Sequence, residues 1–347
     1  MTRLGAGTLA LGLLAGSAAA AAEPEARMHL GPRGAPYQLV VRGSADIVNF
    51  GPILAAFAAT VPYLGIDYEQ WGSNDLSADT ARGCDGIARP ADLVMSSAVD
   101  QLVKLVNDGC ARPYVSGATR TLPADLDWRD EIFGITREAA VIVYNRDLVP
   151  AAEAPLNRFD LIDLVRPADG RYAGRVATYD IEASGLGYLF AFADSEQATT
   201  FGSLIEALGR AGAVATCCSA EIIDGLADGT YLVAYNVLGS YAEARAADDA
   251  RLAIVYPEDY TLMLSRAAMI PAGAANPDMA GAFIDFMLSG PGQALLAAQH
   301  LLITPEAMGS AGSALRPIRL SPTLLVGLDQ ERRRQFLELW NATFPRP

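Results

Sequence analysis

The 347-residue chain is 51% hydrophobic and carries a formal net charge of −14, a length that suggests two domains or one elaborated α/β unit around a sizeable core. Such acidity repels nucleic acid and anionic lipid, so neither is an expected partner. Histidine occurs only at His29 and His300, which excludes a site built from several histidine ligands and leaves His300 alone for a Ser-His-Asp arrangement.

Residues 1–22 read as a secretory signal peptide: Arg3 is the short basic end, Leu4–Leu14 the apolar run, and Ala20-Ala21-Ala22 the small-residue cleavage site. The periplasm is the expected compartment, with cleavage near Ala22. No later apolar run reaches the ~18 residues that a membrane span needs. Glu23–Pro36, rich in proline and glycine, reads as a loose leader holding His29. A strand over Gln38–Arg42 runs into Gly43-Ser44-Ala45-Asp46, and a helix follows over Ile47–Ala59 with Ile47, Phe50, Leu54 and Phe57 as its apolar stripe. Gly65–Trp71 is a second strand and Gly72–Asp75 a turn. Asp92–Met95 is a third strand closed by Ser96-Ser97, with a helix over Val99–Asn107. Ligands of open parallel sheets bind at the carboxyl ends of strands, so Ser44 and Ser96-Ser97 are candidates for one crevice; each serine can equally be a helix cap.

Cys84 precedes this third strand and Cys110 follows the returning helix. Both fall at one sheet edge, which favours a disulfide in an exported protein over two unrelated thiols. Glu138–Asn145 is a buried strand, and Arg146–Pro155 reads as a crossing segment between domains. Beyond it, Arg175–Thr178 is a strand and a helix begins around Ser184-Gly185. The helix start offers N–H groups and a positive dipole end to an anion, with glycine permitting close approach and serine capping the helix or bonding the ligand. Phe201–Ala211 is a helix, Val214–Thr216 a strand, and Cys217-Cys218 either a vicinal disulfide or two free thiols. Ser219 can cap the helix Ala220–Ala227, and Tyr231–Tyr235 is a strand into Asn236. Leu252–Tyr256 is a strand, Met263–Ile270 returns to the first domain, and Pro277–Leu288 and Gly292–Gln299 are helices. A final helix near Gln330–Asn341 offers Phe336, Leu339 and Trp340 as a docking face.

The ordered set LVVRGSAD, ADLVMSSAVDQLVKLVNDG, AVIVYNRDLV, EASGLGYL, DGTYLVAYN and AGAFIDFMLSGPGQALL resembles the periplasmic solute-binding proteins of ABC importers, in the branch that includes ferric-ion-binding proteins. The resemblance covers about residues 38–310. It implies an α/β fold of the two-lobe periplasmic-binding-protein type II, with two crossing segments and a hinged cleft. Lobe 1 is then expected over 36–155 and 262–310, and lobe 2 over 156–261 and 311–347. The positions that hold iron in that branch are aligned here with Ala45, Ser97 and Leu238-Gly239, and Tyr241 stands nearby but single. These are poor donors for a hard cation, so no metal or other cofactor is expected.

The resemblance implies a chain that captures a small organic anion, a carboxylate or phosphate ester, and delivers it to a permease in the inner membrane. The expected contacts are Gly43, Ser44, Ser96, Ser97, Ser184, Gly185, Ser219, Asn236 and Tyr241, with Glu138 meeting an amine or hydroxyl. A monomer is expected. The alternative is a sensor that presents its solute to a periplasmic sensor-kinase domain, since both roles need the same closure. An enzyme, for instance a thiol oxidoreductase using Cys217-Cys218, is disfavoured: adjacent cysteines lack the C-x-x-C spacing and no nucleophile–base pair is visible.

Overall fold

The computed structural model describes residues 22–167, 170–304, 307–309 and 314–344. The signal peptide read from residues 1–22 lies outside the described residues apart from Ala22. In chain order the first part contains β1 (Ala26–Leu30), β2 (Tyr37–Gly43), α1 (Ile47–Thr60), β3 (Leu64–Gln70), α2 (Ser73–Cys84), β4 (Leu93–Ser96), α3 (Val99–Asn107), β5 (Asp127–Trp128) and β6 (Ile132–Gly134). Then come β7 (Glu138–Asn145), α4 (Arg158–Val165), β8 (Val176–Tyr179), α5 (Gly185–Gln197), α6 (Phe201–Arg210) and β9 (Val214–Thr216). These are followed by α7 (Ser219–Ala227), β10 (Val233–Leu238), α8 (Gly239–Asp248), β11 (Leu252–Val255) and β12 (Thr261–Leu264). The chain ends with β13 (Ala267–Met269), α9 (Pro277–Leu288), α10 (Gly290–Ala298), β14 (Leu315–Pro317) and α11 (Gln330–Thr343).

Two sheets divide these strands. The first has the order β1-β3-β2-β4-β13-β6-β5, and the second β14-β12-β7-β10-β8-β9 with β11 also on β7. In the first, β2 lies parallel between β3 and β4, so the loops after Gly43 and Ser96 leave the same edge. In the second, β8 is parallel to both β9 and β10, which places the loops after Tyr179, Thr216 and Leu238 at one edge as well. The crevice rule for parallel strands therefore points to both lobes.

The chain passes from the first sheet to the second between β6 and β7, and returns between β12 and β13. This moves the expected boundary. Arg146–Pro155 is a loop within the second lobe, and the strand Glu138–Asn145 pairs with β10, β11 and β12 instead of with the first sheet. Thr261–Leu264 likewise belongs to the second sheet. An unbroken apolar run such as AAVIVY announces a strand buried on both faces but does not name its partners, so the change of composition after it did not mark where the chain changes sheet.

Three further expectations change. The leader is not loose: alternating Ala26, Met28 and Leu30 form β1, antiparallel to β3, and His29 bonds Asp67 at 2.7 Å through Nδ1. The turn expected at Gly72–Asp75 is instead the start of α2, with Asp75 in its first turn where the helix dipole favours a carboxylate. In the final helix, Phe336 packs on Tyr188, Phe192 and Phe201 and Trp340 is buried, but Leu339 is 52% exposed.

Each lobe has its own core, around Phe50, Phe57 and Phe283 in the first and around Leu161, Leu204 and Trp340 in the second. A third apolar cluster runs from α3 (Val99, Leu102, Val106) through Ile132, Ala139 and Ala267 into Leu189, Phe190 and Ile222 of the second lobe. Packing is thus continuous behind the crevice. Cys84 and Cys110 form a disulfide, with Cα atoms 5.2 Å apart, tying the end of α2 to the segment after α3 as their shared sheet edge suggested. Replacing both by serine should lower the unfolding free energy by about 3 kcal/mol, read from the midpoint of urea denaturation. An unmoved midpoint would show that α2 is held by packing alone.

Candidate functional site

A cleft of about 270 Å³ lies between the strand-end loops of the two lobes. From the first lobe its walls take Glu25, Ser44, Asp46, Trp71, Ser73, Asp75 and Ser97, and from the second Tyr179, Ser184, Cys217, Cys218, Ser219 and Tyr241. Arg266, on the returning crossing segment, is the one cationic side chain in the lining among the described residues.

Arg266 is held by a buried network at the hinge. Its Nε donates to Glu138 Oε1 at 2.9 Å, its backbone N–H donates to Thr136 Oγ1 at 2.8 Å, and Thr136 Oγ1 donates to the same Glu138 oxygen at 2.7 Å. Ser240 donates to the other oxygen. Both Arg266 and Glu138 are about 1% exposed. Burial pulls the guanidinium down, but the Glu138 carboxylate, its hydrogen bond and the neighbouring tyrosines together raise it, and Arg266 stays charged. Glu138 is therefore a positioning residue under the cleft and not the solute contact that its place on a crossing strand suggested. The reach of Arg266 extends to the first lobe, where Nη1 donates to the Ser44 carbonyl at 3.3 Å.

At the first lobe's edge the Ser97 N–H donates to Ser44 Oγ at 3.0 Å, and the two hydroxyls lie 3.3 Å apart. Both line the cleft. Ser96 does not: it is buried, and its Oγ accepts from the Ala98 N–H at 3.1 Å. Gly43 is also behind the wall, where a Cβ would come within 2.7 Å of the Tyr68 hydroxyl; that hydroxyl donates to the Ala45 carbonyl.

In the second lobe, of the two residues at the start of α5, Ser184 takes the capping role and Gly185 departs from the expected one. Ser184 lines the cleft but spends its Oγ on the Gly187 N–H at 3.0 Å, as a helix cap. The Gly185 N–H donates across the cleft to Ser73 Oγ at 3.0 Å, and Asn74 Nδ2 donates to the carbonyls of Glu182 and Ala183 at 2.9 and 3.0 Å. The starts of α2 and α5 thus clasp each other. A Cβ at Gly185 would stand 2.5 Å from Gln101 Nε2 and 2.9 Å from Asn74 Oδ1, so this glycine serves contact between lobes and not the approach of a ligand.

The start of α7 also faces the cleft, through Cys217, Cys218, Ser219 and Ala220. The cysteines are joined as a vicinal disulfide. Ser219 is not a cap: its Oγ lies 2.5 Å from the Tyr179 hydroxyl, which accepts from the Leu238 N–H at 3.2 Å. Burial pushes the Tyr179 phenol up to about 12, and burial likewise raises Tyr241, so both act as neutral hydroxyls. Tyr241 donates to Asp46 Oδ1 at 3.0 Å, a further bond between the lobes. Asn236 is absent from the cleft. It sits at φ 62° in the irregular stretch of β10 and donates to Asp194 at 2.9 Å, within the buried network around Arg158. His300 pairs with Glu243 at 3.3 Å and takes no part.

Five expected contacts, Ser44, Ser97, Ser184, Ser219 and Tyr241, therefore share one cavity, while Gly43, Ser96, Glu138, Gly185 and Asn236 support it from behind or from the rim. Arg266, Trp71, Tyr179 and the three carboxylates Glu25, Asp46 and Asp75 were missed. Asp46 alone carried a signal, the acidic end of GSAD.

Residues 53–309 match the family model described as bacterial extracellular solute-binding protein. The chain belongs to that family. A solved substrate-binding protein of an ABC transporter from Agrobacterium tumefaciens is 32% identical, covering 92% of this chain and 98% of its own, with a TM-score of 0.86. The fold is shared at 16% identity with the fructose-6-phosphate-bound periplasmic binding protein AfuA from Actinobacillus pleuropneumoniae (89% and 99% covered, TM-score 0.70). It is shared at 17% with the apo ferric ion-binding protein A of Pasteurella haemolytica (88% and 97% covered, TM-score 0.68). No curated protein matches. As a solute-binding protein of two lobes, this chain has the architecture that its sequence motifs resemble.

Two variants test the geometry of this solute-binding protein. Gly185→Val should keep the clasp from forming, giving a larger radius of gyration by small-angle scattering; an unchanged radius would remove the clasp from the account. Glu138→Ala leaves Arg266 buried and unpaired, and should cost about 3–5 kcal/mol in denaturant unfolding.

Proposed function

We propose that this chain is the periplasmic solute-binding component of an ABC importer, and that its solute is a small, hydroxyl-rich organic anion, a carboxylate or a phosphate ester. The observation that carries this is Arg266, a pre-oriented cation in a wall of serine hydroxyls. It is supported by the start of α7, where the dipole favours negative charge. A bare anion would fit poorly, because Glu25, Asp46 and Asp75 share the lining and repel it. A solute that also carries hydroxyl groups answers both features: its anionic group faces Arg266, and its hydroxyls donate to the carboxylates. The fold neighbour with fructose-6-phosphate holds a molecule of this class.

In this reading residues 1–22 direct export and are cleaved near Ala22, the protein acts as a monomer, and closure presents the loaded lobes to an inner-membrane permease. The chain performs no chemistry on its solute. Ser44, Ser97, Ser184, Ser219 and Tyr241 contact the solute or the water around it.

Mass spectrometry of solute released from natively purified protein tests the class directly, and a solute without an anionic group would overturn it. With that solute, Ser97→Ala should weaken binding about tenfold by calorimetry, the loss of one hydroxyl bond to a charged group.

A further inference from the structure

A second cavity, of about 440 Å³, lies where α3 of the first lobe, α5 of the second and the C-terminal segment Arg316–Gly327 meet. It shares no lining residue with the cleft. Its walls include the apolar faces of Tyr188, Leu189 and Phe192. The segment is fastened over α5: the Tyr188 hydroxyl donates to the Gly327 carbonyl, and a Cβ at Gly327 would come within 2.8 Å of the Phe192 ring.

Asp100 stands in this wall, 3% exposed, and its Oδ1 is buried with no hydrogen-bond partner among the described residues. Burial pushes its carboxyl up to about 7, with only backbone N–H groups and the field of Arg333 opposing. Arg333 itself stacks on the Tyr188 ring at 4.3 Å. An unpaired buried acceptor is costly to keep, and a partner that brings a donor removes that cost. Arg316 and Arg319 line the same cavity with Glu196, so the charges in its wall balance. Balanced charge and apolar surface suit a zwitterion better than a simple cation.

We propose that this cavity is a second ligand site, for a small zwitterion with an apolar side chain, of the α-amino acid class. The ammonium group faces the Asp100 carboxylate in the wall, the carboxylate faces Arg316 and Arg319, and the side chain lies against Leu189 and Phe192. Because the site takes residues from both lobes, its occupation is coupled to their relative placement.

The test is calorimetry on the mature protein with L-phenylalanine and L-leucine as probes, beside 3-phenylpropionate, which lacks the ammonium, and 2-phenylethylamine, which lacks the carboxylate. At least one amino acid should bind saturably, and each truncated analogue should bind at least tenfold more weakly. Asp100→Asn, nearly isosteric, should weaken the amino acid at least tenfold while leaving the circular dichroism spectrum unchanged. Ser97→Ala, in the other cavity, should leave this affinity as it is. The proposal is overturned if neither amino acid binds, which would mean that Asp100 is met by water only. It is equally overturned if Asp100→Asn binds as well as the parent, or if Ser97→Ala abolishes binding and so moves the amino acid to the cleft.

Discussion

The arrangement depends most on the buried ion pair between Arg266 and Glu138. Each residue sits beside one of the two crossing segments, so a single contact ties together the places where the chain changes lobe. Burying two charges is expensive unless each is fully bonded, and here Thr136 and Ser240 complete the carboxylate while Ser44 receives the guanidinium. The result is a hinge whose polar centre also presents charge to the cleft. Electrostatics and mechanics therefore share the same atoms, and a change in either partner alters both.

Around that centre the lobes are held by small, reversible contacts. Backbone and hydroxyl bonds between Gly185 and Ser73, between Asn74 and the loop before α5, and between Tyr241 and Asp46 each contribute roughly 1 kcal/mol. Bonds of that size suit surfaces that must part and rejoin, while the apolar cluster behind the cleft supplies the permanent cohesion.

Much of the fold was legible in sequence because its signals are local. The helices Val99–Asn107 and Pro277–Leu288 coincide with their apolar periodicity, and Ser184 is the helix cap its position suggested. Pairing is not local, and there the reading failed: β7 joined the other sheet, and β1 was hidden by the prolines and glycines that follow it. The site divides in the same way. Serines that follow parallel strands reached the cleft, as at Ser44 and Ser97, but nothing in a string of letters separates Ser97 from Ser96, whose side chains point to different sides of one strand end. Arg266 was illegible because its meaning comes from Glu138, far away in sequence.

The vicinal disulfide carries a consequence of a different kind. Neighbouring residues on extended backbone direct their side chains to opposite faces, and Cys218 has such a backbone, at φ −135° and ψ 142°. Both cysteines nonetheless line the cleft, and the bond between their sulfurs is what keeps them there together. The wall around Ser219 is thus closed by a cross-link between adjacent side chains. Part of the surface that a solute meets is set by a covalent bond between side chains, and not by packing alone.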